Sequence, residues 1–203
     1  RSDETLTLKA TIKPSNATDK TLTWSSSNKK VVTVNSKGVV TPVGKGTATI
    51  TVKSENGIKD TCKITVYQVV TGVTLAETAT VYAGEKITLK AKVTPSDANE
   101  QDIKWTSSNT SVAKVTSKGV VTGVKSGTAV ITVQTAEGDY TANCTVTVKQ
   151  HVTSIALDKS ELTIANGNEA QLTATIKPSN ATEKGYTFSS SDEKVVTVTD
   201  KGL

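Results

Sequence analysis

Few residues in this chain carry side chains able to do covalent or metal chemistry, and they lie far apart. Histidine occurs once, as His151, and cysteine twice, as Cys62 and Cys144. A Ser-His-Asp or Cys-His arrangement needs an imidazole held beside its nucleophile, and His151 lies in a short joint with no partner pattern around it. It reads as a solvated linker residue. A zinc site needs clustered ligands, which one histidine and two distant cysteines do not supply. Calcium needs several oxygens converging on one loop. Asp19, Glu100 and Glu183 are equivalent single acids, each five residues after a proline, and the turn at Glu137, Gly138 and Asp139 offers two more. These read as solvated turns, with a weak metal site at the joints as the alternative. No catalytic residue, metal or cofactor is expected, and the chain is read as not an enzyme.

The remaining candidates are thiols and rings. Cys62 and Cys144 occupy equivalent places and each opens an alternating run (Cys62, Ile64, Val66 and Cys144, Val146, Val148). They read as buried core thiols. Trp24 and Trp105 could stack against sugar rings, but their phase with Leu22 and Ile103 points them inward, so they read as core plugs, as does Phe188. Tyr67, Tyr82 and Tyr140 lie nearer strand ends and joints, where an exposed role stays more open. The four N-x-S/T sequons, at Asn16, Asn109, Asn143 and Asn180, arise easily in a chain with 37 threonines.

What positions these residues is a repeat of roughly 82 residues. Pro14, Pro95 and Pro178 each stand ten before an aromatic, Trp24, Trp105 or Phe188, and each aromatic stands fourteen before a turn glycine, Gly38, Gly119 or Gly202. Between them runs near-identical text: TWSSSNKKVVTV, KWTSSNTSVAKV and TFSSSDEKVVTV. Self-similarity at a fixed period marks an array of like modules. The expected boundaries are 1–67, a module lacking its first strand, 68–150, a complete module, and 151–203, a module lacking its last strands. Residue 1 aligns with Tyr82 and residue 203 with Val120, so the chain is expected to be a window of a longer array. Were it the whole polypeptide, its open edges would invite self-association by strand addition.

Threonine and valine suit a pleated, half-buried surface, and residues 47–52 (TATITV) and 128–133 (TAVITV) alternate at period two, so the fold class is all-β. Turn signals every 8 to 12 residues suggest a sandwich. The S-K-G and D-K-G turns place glycine where a hairpin needs positive φ. The joints at 66–71 and 148–153 contain no proline and little slack, which predicts an elongated, stiff array. Net charge is +5, yet the basic residues are scattered singly, which argues against nucleic acid. Weak attraction to anionic surface polymers stays open. No run reaches the roughly 18 apolar residues of a membrane helix.

The proline turn, W-x-S-S-x followed by V-A/V-x-V, K-G-V-V-T, G-T-A-x-I-T-V and C-x-V-T-V together resemble the bacterial immunoglobulin-like group 2 family, found in tandem in invasin-like adhesins. The resemblance covers essentially the whole chain. It implies tandem immunoglobulin-like β-sandwich modules and no inherited binding or catalytic position. Phe188 departs from tryptophan, and Pro42 stands where the middle copy has Gly123. The expected role is an extracellular or cell-surface adhesive stalk or spacer. Its partner would be a polysaccharide or a host surface protein, without nucleic acid or membrane insertion. The alternatives are a carbohydrate-binding accessory region of a secreted polysaccharide hydrolase and a surface module of a virion or filament.

Overall fold

The computed structural model describes residues 6–203, which form seventeen strands and no helix. The first repeat holds β1 (Leu6–Thr7), β2 (Leu22–Ser26), β3 (Val32–Val34), β4 (Val39–Pro42), β5 (Gly46–Ser54) and β6 (Lys59–Val66). The second holds β7 (Gly72–Thr74), β8 (Thr78–Tyr82), β9 (Lys86–Thr88), β10 (Lys92–Thr94), β11 (Ile103–Ser107), β12 (Ala113–Val115), β13 (Val120–Gly123), β14 (Gly127–Thr135) and β15 (Thr141–Lys149). The third holds β16 (Ser154–Leu157) and β17 (Ala174–Lys177).

By compactness the chain forms two units. The first comprises Arg1–Thr74, Lys92–Asp102 and Thr135–Tyr140. Its sheets are β1-β4-β3, β2-β5-β6 and the pair β10-β7. Alternation sets which residues meet inside: Trp24 lies opposite Val52, and Ile50 opposite Cys62. Val31, Val32, Val40, Ala48 and Ile50 form a buried cluster against which Leu8, Trp24, Val34, Ile64 and Val66 pack. Because β3 and β4 belong to one sheet and β2, β5 and β6 to another, this cluster is the filling of a sandwich.

The second unit comprises Leu75–Ala91, Ile103–Gln134 and Thr141–Leu203. Here the larger sheet has four strands, β11-β14-β15-β8, opposed by β12-β13-β9. The added strand β8 runs parallel to β15, with Val146 beside Ala79 and Val148 beside Val81. Ile131, Val121, Val133, Val146, Val148 and Cys144 are the largest fully buried side chains in this unit.

The repeated text is a set of backbone templates. In all three copies the residue three past the proline returns its N–H to the proline carbonyl at 3.0 Å (Ala17, Ala98, Ala181), and the peptide bond before that proline is cis. In the S-S-N/D turn the hydroxyls of Ser26, Ser107 and Ser190 accept the N–H of Asn28, Asn109 and Asp192, each at 3.2 Å. The side-chain oxygens of those three then accept the N–H of Lys30, Ser111 and Lys194. Such local side-chain bonds favour turns over continued strand.

In the third copy, residues 169–171 and 186–190 are not strands, although their counterparts form β9 and β11. A strand exists by its ladder. β9 pairs with β13 and β11 lies beside β14, and no such strands face residues 169–171 and 186–190 among the described residues. One tie is kept: the Leu172 N–H donates to the Gly202 carbonyl at 2.9 Å, as Leu8 does to Gly38 and Leu89 to Gly119.

Candidate functional site

The signature aromatic and the signature glycine are one structural device. Gly38, Gly119 and Gly202 have φ of 76°, 74° and 82°. A Cβ on Gly119 would sit 2.7 Å from the Leu89 carbonyl oxygen and 2.9 Å from Cζ2 of Trp105. Gly38 stands likewise against Leu8 and Trp24, and Gly202 against Leu172 and Phe188. Only glycine allows both the left-handed turn and this approach to the ring. The fourteen-residue spacing therefore brings a turn onto an aromatic face.

Burial of the aromatics differs among copies. Trp105 is 9% exposed, whereas Trp24 is half-buried and borders a groove of about 780 Å³ with Leu8, Ile12, Ile50, Val52 and Cys62. Phe188 is also half-buried and meets Tyr186 edge-on, with ring centres 5.6 Å apart. Both cysteines are free. Cys144 is buried, and that burial pushes its thiol above the ordinary range; Cys62 is only half-buried.

The joints carry the charged chemistry. At the second joint His151 stacks flat on Tyr82, with centroids 3.6 Å apart and planes within 8°. Its Nε2 lies 3.8 Å from a carboxylate oxygen of Glu85. His151 is exposed, as expected of a linker residue, but it also has partners in Tyr82 and Glu85. The signal was present, since Tyr82 lies near a strand end, but only the parallel pairing of β8 with β15 brings Tyr82 beside Lys149 and so near His151. Next to it Lys149 Nζ donates to Glu183 Oε1 at 2.7 Å. The Lys149 ammonium holds the Glu183 carboxyl below its usual range, and Glu183 raises Lys149. Equivalent acids thus take unlike roles: Asp19 instead accepts the Thr21 N–H at 2.8 Å, which lowers its own carboxyl.

A backbone frame recurs at both joints. At the first, the Gln68 N–H donates to Asn99 Oδ1 and the Asn99 N–H returns to the Gln68 carbonyl, both at 2.8 Å. At the second, Gln150 and Thr182 do the same, at 3.1 and 3.0 Å. Lys45 Nζ reaches the Asp97 carbonyl at 2.7 Å, and at the equivalent positions Asn180 Nδ2 reaches Ser126 Oγ at 3.2 Å. Glu137 caps the first joint by accepting the Val70 N–H at 3.0 Å, which gives one acid of the Glu137-Gly138-Asp139 turn a structural task. Sequence alone marked that acid but not its partner, 67 residues away. Among the described residues no group of three or more His, Cys, Asp or Glu side chains converges as for a metal ion.

The acid behaviour of the second joint follows from these shifts. A carboxyl lowered in the folded state stabilises above its ordinary range, and that contribution disappears as pH falls through the lowered value. Lys149, being raised, keeps its contribution until pH rises above the ordinary lysine range. The ion pair therefore spans neutral pH and opens in acid. Amide exchange at Gln150 and Thr182 should accelerate as pH drops below the usual glutamate range, beyond the intrinsic trend. Lys149→Gln should remove that added response, and the pair's exposure makes it salt-sensitive.

Two packed sheets in each of the first two repeats, a ring-and-glycine anchor in all three and a recurring joint frame define a tandem immunoglobulin-like β-sandwich protein. The family model of the bacterial Ig-like domain (group 2) matches residues 1–65, 69–146 and 151–203, and the chain belongs to that family. It is 34% identical over 126 residues to an Ig-like virion protein of Serratia phage KSP90, covering 60% of this chain and 49% of that protein. It is 40% identical over 119 residues to an alpha-L-arabinofuranosidase of Bifidobacterium longum subsp. longum, covering 56% of this chain and 11% of that enzyme. Among solved structures, surface layer protein SbsC, domains 1–6, shares 26% identity and a TM-score of 0.39, over 68% of this chain and 21% of that one. The chain thus spans half or less of the length of these relatives.

Proposed function

We propose that this chain is a non-catalytic spacer or adhesive stalk at a bacterial surface or outside the cell, which presents other domains at fixed reach. The observation that carries this reading is the joint frame. The same reciprocal bond, Gln68 with Asn99 and Gln150 with Thr182, recurs at successive joints. Reach and orientation are properties that such a repeated clamp would serve. The three repeats set the extent of each module, 1–67, 68–150 and 151–203, and the partner would be a surface polysaccharide or a host surface protein.

A second reading is an accessory region of a polysaccharide-acting enzyme, favoured by the likeness to an arabinofuranosidase. A virion surface module is a third, favoured by the phage relative. Binding to a glycan array of plant and algal polysaccharides, which are substrates of secreted hydrolases and not the surface partners of a stalk, separates the first two. The spacer reading expects no saturable binding to any of them. Tight binding to one polysaccharide, lost on replacing exposed Tyr67, Tyr140 or Tyr186, would overturn it in favour of the accessory region.

A further inference from the structure

The two joints share a backbone frame but not the side chains that tie it down. At the first, Val69 follows Gln68 of the frame, and the acid at that joint, Glu137, already holds the Val70 N–H. At the second, His151 follows Gln150 and takes the place of Val69. Its ring lies flat on Tyr82 at 3.6 Å, and its Nε2 stands 3.8 Å from a Glu85 oxygen. Tyr82 ends β8, and the turn after it is bound to the middle repeat. The Glu85 N–H returns to the Tyr82 carbonyl at 3.0 Å, the Ala83 N–H donates to the Lys149 carbonyl at 2.8 Å, and the Gly84 N–H to the Gly123 carbonyl at 2.9 Å. Ring and carboxylate thus form a fixed seat, and the joint residue rests in it.

The charges around that seat decide what a proton on His151 does. β8 and its turn supply Tyr82 and Glu85, β15 supplies Lys149, and the proline turn of the third repeat supplies Glu183. Lys149 and Glu183, 2.7 Å apart, offset one another, and the Tyr82 hydroxyl lies 3.5 Å from both oxygens of Glu183. Glu183 also feels a charge on His151. Lys184 donates instead to the Ser179 carbonyl at 2.5 Å, and Lys86 of β9 and Lys177 of β17 are exposed. With a neutral imidazole, then, two carboxylates face one ammonium. The 3.8 Å gap to Glu85 is too long for a hydrogen bond. An imidazolium supplies the missing positive charge, attracting Glu85 at its edge and the π-face of Tyr82 beneath it.

We propose that the second joint is a pH-gated clamp, in which protonated His151 draws onto Glu85 and Tyr82 and stiffens the link between the second and third repeats. This device rests on the spacer reading, since a gate at a joint acts on reach and orientation. The first joint, with Val69 in that place, is not gated. As pH falls through the ordinary histidine range the imidazole gains its charge and the second joint tightens. In stronger acid Glu85 and Glu183 take up protons, and both the new contact and the Lys149 pair are lost. The second joint is therefore tightest between the ordinary glutamate and histidine ranges, and looser on either side.

Hydrogen exchange read by NMR tests this, with the Gln150 and Thr182 amides followed from about pH 8 to about pH 5.5 and corrected for intrinsic rates. Their protection should rise about threefold to thirtyfold, the combined range of one exposed cation–π contact and one exposed ion pair. The Gln68 and Asn99 amides of the first joint should show no such rise. His151→Phe keeps a ring for Tyr82 without the charge, so protection at neutral pH should stay and the rise vanish. Glu85→Gln should reduce the rise to the share of the ring contact. Lys149→Gln should not diminish it, since that change acts on the loss in stronger acid. A flat profile at Gln150 and Thr182, or an equal rise in His151→Phe, would overturn the gate while the frame stood. Rapid exchange of the frame amides at both joints and every pH would overturn the gate and the spacer reading together.

Discussion

Trp105→Ala is expected to lower the stability of the middle repeat by about 3–5 kcal/mol, the cost of emptying a large aromatic site in a packed core. Trp105 is 9% exposed, and its ring also supports the turn at Gly119. Truncation therefore leaves a cavity and removes the floor of a left-handed turn. Trp24→Ala should cost clearly less, because Trp24 already borders the open groove and has less burial to lose. Urea unfolding followed by far-ultraviolet dichroism measures both. If Trp105→Ala left stability unchanged but removed binding to a polysaccharide, the ring would be a ligand platform and not packing.

Gly119→Ala is expected to cost about 2–4 kcal/mol, from backbone strain and overpacking together. Its φ of 74° is one that an L side chain rarely adopts, and the new methyl would stand 2.7 Å from a carbonyl oxygen and 2.9 Å from the indole. Neither neighbour yields easily. The Leu89 backbone is held by its own N–H to the Gly119 carbonyl, and Trp105 is hemmed by the core. Gly72→Ala is the matched control. Nothing lies within 4 Å of its added Cβ and its φ is not positive, so the change should be within about 1 kcal/mol of neutral. Equal losses at the two glycines would refute the ring-and-turn device. A lower melting temperature for Gly119→Ala alone would support it.

How far sequence carried this picture depends on the range of the interaction. Period-two alternation in residues 47–52 and 128–133 identified β5 and β14, because the side-chain period of a strand is written directly in the chain. The proline turns and the glycine hairpins were legible for the same reason, as their hydrogen bonds close within a few residues. The joints were not. Glu137 holds Val70 across 67 residues, and Lys149 meets Glu183 across 34. Tyr82 finds His151 only because β8 takes a parallel place on β15. Nor does repetition guarantee equal burial. Cys62 and Cys144 share one place in the repeat, yet among the described residues only Cys144 has a further strand outside its own, and it alone of the two is sealed.

The proposed spacer role requires that successive repeats be held by the recurring joint frame. Residual dipolar couplings in one weakly aligned sample test this most directly, with the amides of β14 and β15 compared against those of β16 and β17. The clamp predicts that a single alignment tensor fits both sets at neutral pH. Two tensors of clearly different magnitude would mean that the repeats turn independently about residues 150–153, and would contradict it.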